Sequence, residues 1–347
     1  MNIIGCDFHT RSQQIAMLDT ETGEVIEKRL EHENGEARRF YEGLKGPALV
    51  GIETTGYTRW FAEMLAELGH ELVVGEAGKI RARDPRQQKH DRRDAELILN
   101  LLVRGDFPRV WLPSPEERDV RVLVEHRHQL VELRTRAKNG LQAMALSYGV
   151  RRRQRLWSKA GQEELKKIPL REGMGRRRRD LLCLLQQLDA WVKELDQRIE
   201  QEVGRREDAQ RLMTHPGVGA QTALATVLVL GPVERFPDTR HLTSYLGLIP
   251  QEESSGSRQR FGHLTKQGNR LMRFLLVEAA GIASRYDPCL RRMYRRLAFR
   301  KGAAIAKVAV ARKLAIRLYI MLRDGIDYAE FVRRGSHAGM LGDRTLA

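Results

Sequence analysis

Cysteine is scarce in this chain of 347 residues, which has only Cys6, Cys183 and Cys289. The count is odd and no pair has the spacing of a metal ligand set or a redox motif. That excludes a disulfide framework and a cysteine-built metal site, and it suggests a reduced, cytoplasmic setting. No apolar run reaches the roughly 18 residues of a membrane span. The opening Met-Asn-Ile-Ile-Gly-Cys-Asp has no basic segment followed by an apolar one, so neither a span nor a secretory leader is expected. No internal repeat is visible. Acidic charge is in deficit, with 45 Asp and Glu against 61 Lys and Arg, a net charge of +16. The isoelectric point near 10.1 points to a polyanionic partner. Nucleic acid is the first candidate, because each neutralised phosphate releases condensed counterions. Charge alone leaves ribosome-type and membrane-surface proteins open. Hydrophobic residues make up 41%, enough for ordinary cores, and the length fits two or three domains.

Residues 2–8 read as an opening strand, and 13–20 and 24–31 as two more joined by Glu-Thr-Gly. Ala48 to Glu53 is a short apolar run ending in an acid, as in a buried strand. After Gly56, the residues Tyr57, Trp60, Phe61, Met64, Leu65 and Leu68 recur at helical spacing as far as Gly69. Glu71 to Val74 forms one more strand. Strands followed by alternating helix and strand predict an α/β domain with a mixed sheet.

Beyond about residue 116 long helices are expected. Val120, Leu123, Leu130, Ala137, Leu141 and Met144 form one stripe, interrupted by Arg127 and Arg134. Leu181, Leu184, Leu188, Trp191 and Leu195 form a second. The pair predicts an antiparallel helical hairpin or an oligomerising coiled coil. The joining segment 151–180 carries twelve Lys or Arg against four acids, including the run Arg176, Arg177, Arg178 and Arg179. It reads as a flexible block suited to a phosphate backbone; a solvated basic loop is the plainer alternative. A third unit starts near Arg211. Within it, Pro216-Gly217-Val218-Gly219 forms a tight turn before a helix at 221–230. Such a turn presents backbone N–H groups to a phosphate in helix-hairpin-helix units, and Gly217 and Gly219 are its candidate contacts. A simple helix–helix turn would look the same. Leu242 to Ile249 leads into a charged Ser- and Gly-containing loop at 250–262. Basic helices are expected at 268–284, 288–299 and 303–323.

Four acids stand out. Asp7 lies in the first strand, Glu53 ends a later one, and Asp91 and Asp94 open a helix whose apolar stripe runs on through Ala95, Ile98 and Leu101 or Leu102. Acids on an apolar face are costly unless they are paired or bind a metal. Three or four of them converging from two strands and a helix would make an oxygen-only site suited to Mg²⁺ or Mn²⁺. Two such ions can clamp the attacking and leaving oxygens of a phosphodiester. Taken singly, Asp91 and Asp94 also fit a helix N-terminal charge pair, Glu53 a strand-end acid and Asp7 a turn residue.

Three motifs, Ile4-Gly5-Cys6-Asp7, Glu53-Thr54-Thr55-Gly56 and Lys89-His90-Asp91-Arg92-Arg93-Asp94-Ala95, resemble the carboxylate motifs of the Piv/MooV-type DEDD transposases of the IS110 insertion-sequence family, also called bridge-RNA-guided recombinases. Further along, Pro216-Gly217-Val218-Gly219, Tyr245-Leu246-Gly247-Leu248-Ile249-Pro250, Ser255-Gly256 and Lys266-Gln267-Gly268-Asn269 follow in that family's order. The resemblance spans nearly the whole chain. His9, two residues after Asp7, has no assignment in the family pattern.

The resemblance implies an α/β RuvC-like (RNase H type) domain over 1–112 carrying Asp7, Glu53, Asp91 and Asp94 as metal-binding catalytic acids. It implies a helical coiled-coil segment with a basic linker over 113–208, and a mainly α transposase domain with a helix-hairpin-helix-like element over 209–335. Residues 336–347 form a tail. A catalytic serine is implied in Gln251-Glu252-Glu253-Ser254-Ser255-Gly256-Ser257; Ser255, which precedes the glycine, is preferred and Ser254 is second. A serine on a Gly-containing loop can reach a phosphate but needs activation. Arg258, Arg260, His263 and Lys266 are candidate phosphate contacts, while an ordinary turn or N-cap cluster is the bland alternative. The implied chemistry is cleavage through a covalent phosphoserine, then strand exchange and rejoining without ATP. Implied partners are donor and target DNA and a structured non-coding guide RNA. The implied assembly is a homo-oligomer, a dimer or a dimer of dimers in the active complex, in the cytoplasm at the nucleoid and without membrane. A serine and a metal site in different domains must meet, and a dimer is one way. Two other functions stay open: a RuvC-like nuclease that uses water, and a non-catalytic DNA-binding protein.

Overall fold

A computed structural model of the protein describes residues 1–83, 91–151, 155–252 and 261–335. The chain forms two compact units, Met1–Leu112 and Pro113–Ala347.

The first unit is built on a five-stranded mixed sheet. In chain order its elements are β1 (Asn2–Phe8), β2 (Ser12–Asp19), β3 (Val25–Glu31), α1 (Glu36–Glu42), β4 (Ala48–Glu53), α2 (Arg59–Glu67), β5 (Glu71–Gly75), α3 (Ala77–Arg81) and α4 (Asp91–Val103). The strand order is β3-β2-β1-β4-β5. β1, β2 and β3 are antiparallel neighbours, and β4 and β5 extend the sheet in parallel from β1. Alternation divides the side chains between two faces. Ile4, Cys6, Phe8, Val50 and Ile52 pack with Tyr41, Phe61 and Leu65 of α1 and α2. The opposite face carries Ile3, Leu49 and Val73, covered by Ile98, Leu101 and Leu102 of α4. The predicted strands and the helix after Gly56 are all present; α1 was not foreseen.

In the second unit, α5 (Pro115–Ser147) starts with a capping box. Ser114 Oγ accepts from Glu117 N, and the Glu117 carboxylate accepts from Ser114 N. α5 packs against α7 (Glu172–Gly204). Arg127 Nε bonds Asp196 Oδ1 at 2.8 Å and Arg134 Nη1 bonds Asp189 Oδ1 at 3.2 Å. As one number rises the other falls, so the helices run antiparallel. The two arginines that interrupt the apolar stripe are therefore cross-helix ion pairs. The second stripe needs correction, because Leu184 and Trp191 are exposed and the buried line runs through Leu185, Leu188, Val192, Leu195 and Ile199. The described part of 151–180 is also not a flexible block. A short turn at Arg155–Trp157, α6 (Lys159–Lys167) and the start of α7 enclose their own core of Leu156, Leu165 and Ile168 against Leu141, Met144 and Leu185. The amphipathic spacing within this charged segment was enough to bury it.

The remaining elements are α8 (Glu207–Met213), α9 (Ala220–Leu230), α10 (Thr239–Tyr245), β6 (Pro250–Glu252), β7 (Phe261–Leu264), α11 (Arg270–Tyr286), α12 (Pro288–Lys301), α13 (Ala303–Arg323) and α14 (Tyr328–Arg333). Their common core includes Leu212, Leu224, Leu228, Leu242, Leu276, Leu314 and Leu318. Inside it Asp287 caps α12 through Leu290 N and accepts from Arg317 Nη1 at 2.6 Å and from the Tyr328 hydroxyl at 2.7 Å. Among the described residues no helix is long and apolar enough to cross a membrane.

Candidate active site

Two glycines set the site's geometry. A Cβ on Gly5 would lie 2.2 Å from the Ala95 carbonyl oxygen and 2.3 Å from the Leu99 amide nitrogen, so α4 rests backbone-to-backbone on β1. A Cβ on Gly51 would meet the Leu102 side chain at 2.7 Å. Gly5 and Gly51 are register partners. Two residues further along each strand, on the same face, stand Asp7 and Glu53. Both acids therefore leave the strand ends on the side covered by α4, whose first turn carries Asp91 and Asp94. Sequence inspection passed over the repeated Gly-x-acid pattern of Gly5-Cys6-Asp7 and Gly51-Ile52-Glu53, which carried this information.

Asp7, His9 and Asp91 each offer a ligand atom, and the three atoms all lie within 4.8 Å of one another. His9 Nε2 is 3.1 Å from Asp7 Oδ2 and 3.8 Å from Asp91 Oδ2. Burial pushes the Asp7 carboxyl above its usual range; His9 draws it back down, while Asp94 and Asp91 push it up again. The field of Asp94 thus reaches Asp7. The Asp7 side chain is 17% exposed; of the helix pair expected to face the sheet, Asp91 is 58% exposed and Asp94 is half-buried. Glu53 is engaged differently: its Oε1 accepts from Arg81 Nη2 at 2.9 Å. Arg81 ends α3, and the residues after it, 84–90, which include Lys89 and His90 of the third motif, lie outside the described residues.

The donor set suits a divalent cation. The carboxylate oxygens match Mg²⁺ and Mn²⁺, and an imidazole nitrogen beside them is a donor for transition ions. Burial first, and then the nearby acids, disfavour the charged form of Asp7, and a cation among these groups relieves that burden. Neither His9 nor Arg81 was given a role from sequence. The Asp7-x-His9 spacing at a strand end was the available signal for the first; nothing marked the second.

The serine segment falls in sequence between β6 and β7, which pair as a ribbon with Pro250 opposite Leu264 and Glu252 opposite Phe261. Ser254, Ser255, Arg258 and Arg260 lie outside the described residues. His263 and Lys266 are exposed, and Lys266 takes a left-handed conformation with φ of 53°. The neighbouring turns interlock: a Cβ on Gly268 would lie 2.0 Å from the Tyr245 carbonyl oxygen, and one on Gly247 2.1 Å from that of Gln267. These contacts join the Tyr245–Pro250 and Lys266–Asn269 motifs.

Gly217 is half-buried and packs against α11: its φ is 87°, and a Cβ there would lie 2.6 Å from the Ala279 carbonyl oxygen. Gly219 is the exposed N-cap of α9. In the basic run, Arg178 turns inward, donating to the Leu165 and Ile168 carbonyls at 3.0 and 2.8 Å. Arg176 pairs with Asp180 at 2.8 Å. Arg177 and Arg179 are exposed.

Residues 209–295 match a family described as the transposase IS116/IS110/IS902 family, and residues 4–149 match the IS110 DEDD transposase family. A probable family 20 transposase of Pseudomonas aeruginosa is 29% identical over 92% of this chain and 96% of its own. The transposase for insertion sequence element IS1111A of Coxiella burnetii is 30% identical over 68% of this chain and 67% of its own. The transposase for insertion sequence element IS1328 of Yersinia enterocolitica is 25% identical over 82% and 86%.

Proposed function

The chain belongs to the IS116/IS110/IS902 family of insertion-sequence transposases, and on that premise we propose that its first unit is a RuvC-like domain in which Asp7, Glu53, Asp91 and Asp94 hold a divalent cation, Mg²⁺ or Mn²⁺, while Ser255 is the nucleophile that cuts DNA. The observation that carries this reading is the meeting of Asp7 and Asp91, 84 positions apart, within one ligand cluster at the strand ends. The strand order β3-β2-β1-β4-β5 with its parallel and antiparallel halves supports the RNase H type assignment. A bound cation supplies charge neutralisation for the scissile phosphate.

The residues of the chain do the rest. Gly5 lets α4 approach, so the acids are held by packed backbone and not by a mobile loop. Arg81 holds Glu53 at the site's edge. In the cutting step the Ser255 Oγ attacks phosphorus and forms an Oγ–P bond as the bond from phosphorus to a deoxyribose oxygen breaks. The serine gives up its proton and the leaving oxygen takes one. Rejoining is the reverse attack by a new strand's hydroxyl, which returns Oγ as a hydroxyl, so ATP is not consumed. His263 and Lys266, exposed beside the ribbon, are placed to meet phosphate charge.

Within this reading, residues 113–208 serve as a helical segment and 209–335 as the transposase domain. The partners are donor and target DNA and a structured guide RNA, bound by a dimer or a dimer of dimers. The net charge of +16 supports a polyanionic partner. Trapping and digesting the protein–DNA adduct tests the assignment: the expected DNA-linked peptide contains Ser255, and Ser255→Ala abolishes it. Cleavage that persists in Ser255→Ala but disappears in Asp7→Asn establishes instead a nuclease that uses water.

A further inference from the structure

The acids of the site come from β1, β4 and α4, yet the side chain hydrogen-bonded to Asp7 is an imidazole. His9 Nε2 approaches Asp7 Oδ2 to 3.1 Å and Asp91 Oδ2 to 3.8 Å. Two ligands bound to one ion at about 2.1 Å lie about 3 Å apart when adjacent and about 4.2 Å apart when opposite. The separations around His9 fall within that span, so one ion reaches all three atoms with small side-chain rotations.

The backbone at His9 is fixed as a ligand's should be. His9 N donates to Ser12 O at 3.0 Å, closing the hairpin between β1 and β2. His32, just past the end of β3, grips the same turn: its N donates to Arg11 O at 2.9 Å and its Nδ1 meets Thr10 O at 3.3 Å. The His32 ring stacks on Phe8 at 5.1 Å and meets Trp60 edge-on at 4.9 Å. The turn is thus tied to the sheet on two sides, while the His9 side chain remains half exposed and open to an incoming ion.

We infer that His9 is a metal ligand of this site, so that the chain holds its cation through mixed nitrogen and oxygen donors, binding Mn²⁺ and later transition ions in preference to Mg²⁺. This rests on the proposed metal role of Asp7 and Asp91. Imidazole nitrogen favours transition ions, whereas Mg²⁺ prefers oxygen and its own waters.

The test uses the full-length protein loaded with MnCl₂ and pulsed electron paramagnetic resonance, which detects ¹⁴N bound directly to Mn²⁺. The wild type is expected to show a directly coordinated ¹⁴N. His9→Ala is expected to lose that signal, to bind Mn²⁺ about 10-fold or more weakly and to bind Mg²⁺ with a change of under about 3-fold. His9→Gln, which keeps a polar side chain, is expected to lose the ¹⁴N signal as well. Circular dichroism confirms that both variants are folded. Three results overturn the inference. One is Mn²⁺ bound in an Asp7-dependent way with no direct ¹⁴N. Another is a ¹⁴N signal that survives His9→Ala, which would point to another histidine such as His90. The third is equal weakening of both ions. Wild-type protein that binds no Mn²⁺ at all refutes the underlying metal reading together with this one.

Discussion

Gly5→Ala should uncouple the active site more than it unfolds the protein. The added methyl would sit 2.2 Å from the Ala95 carbonyl oxygen and 2.3 Å from the Leu99 amide nitrogen, both atoms of a helix backbone that cannot rotate away. Relieving the overlap moves α4 off β1 by about 1 Å, since unstrained contacts begin near 3.5 Å. Asp91 and Asp94 open that helix, so they move with it while Asp7 stays with the strand. A misplacement of about 1 Å in a catalytic constellation costs on the order of 100-fold in rate. Overpacking itself costs about 1–3 kcal/mol. Gly51→Ala is the matched control. Its methyl meets Leu102 Cδ1 at 2.7 Å and Ile98 Cγ2 at 3.1 Å, the ends of side chains that can repack. DNA strand cleavage, measured beside urea denaturation of both variants, should show Gly5→Ala down about 100-fold or more and Gly51→Ala within about 10-fold. Wild-type activity in a folded Gly5→Ala protein, or an equal loss in Gly51→Ala, would refute the claim that close backbone contact sets the spacing of the acids.

Two further outcomes concern the second unit. Arg317→Met leaves Asp287 buried without its cation, the pair being 7% and 3% exposed, and should cost about 3–5 kcal/mol in denaturant unfolding; a loss below about 1 kcal/mol would contradict that. Acid should weaken the same unit through His215, which burial brings down to about 4. Its folded value lies below its unfolded value near 6.5, so between those values the unfolded chain binds a proton that the folded chain does not. Stability is therefore full above about pH 6.5 and falls toward pH 4, by up to about 3 kcal/mol at about 1.4 kcal/mol per unit. Asp287 is held below the usual carboxylate range, so its contribution is lost only at lower pH. His215→Gln should flatten the slope in pH-dependent thermal melts, and an unchanged slope would show that another group is responsible.

The first unit was legible because its signals are local. Short apolar runs marked β1, β4 and β5, and the Tyr57–Leu68 periodicity marked α2. The acids on strand ends were visible for the same reason. What sequence spacing could not convey was depth and partnership. Asp91 and Asp94 share a face by spacing, yet Asp91 stands at the first turn, where the sheet no longer covers it. Glu53 sits at its strand end as expected, but its partner Arg81 lies 28 residues away and becomes a neighbour only when β5 and α3 fold back. Leu184 and Trp191 fit a helical stripe as well as Leu185 and Val192 do. Only the position of α5 decides which line is buried. Arg178 looked like its three neighbours until α6 supplied carbonyls for it to bind.

Locating the cation directly is the sharpest test of the proposal that Asp7 and Asp91 form one metal site. Crystals of the full chain soaked in MnCl₂ can be measured at the manganese absorption edge. An anomalous peak within about 2.3 Å of carboxylate oxygens of both Asp7 and Asp91 is the predicted result. Bound manganese elsewhere, with those two carboxylates free, would contradict it.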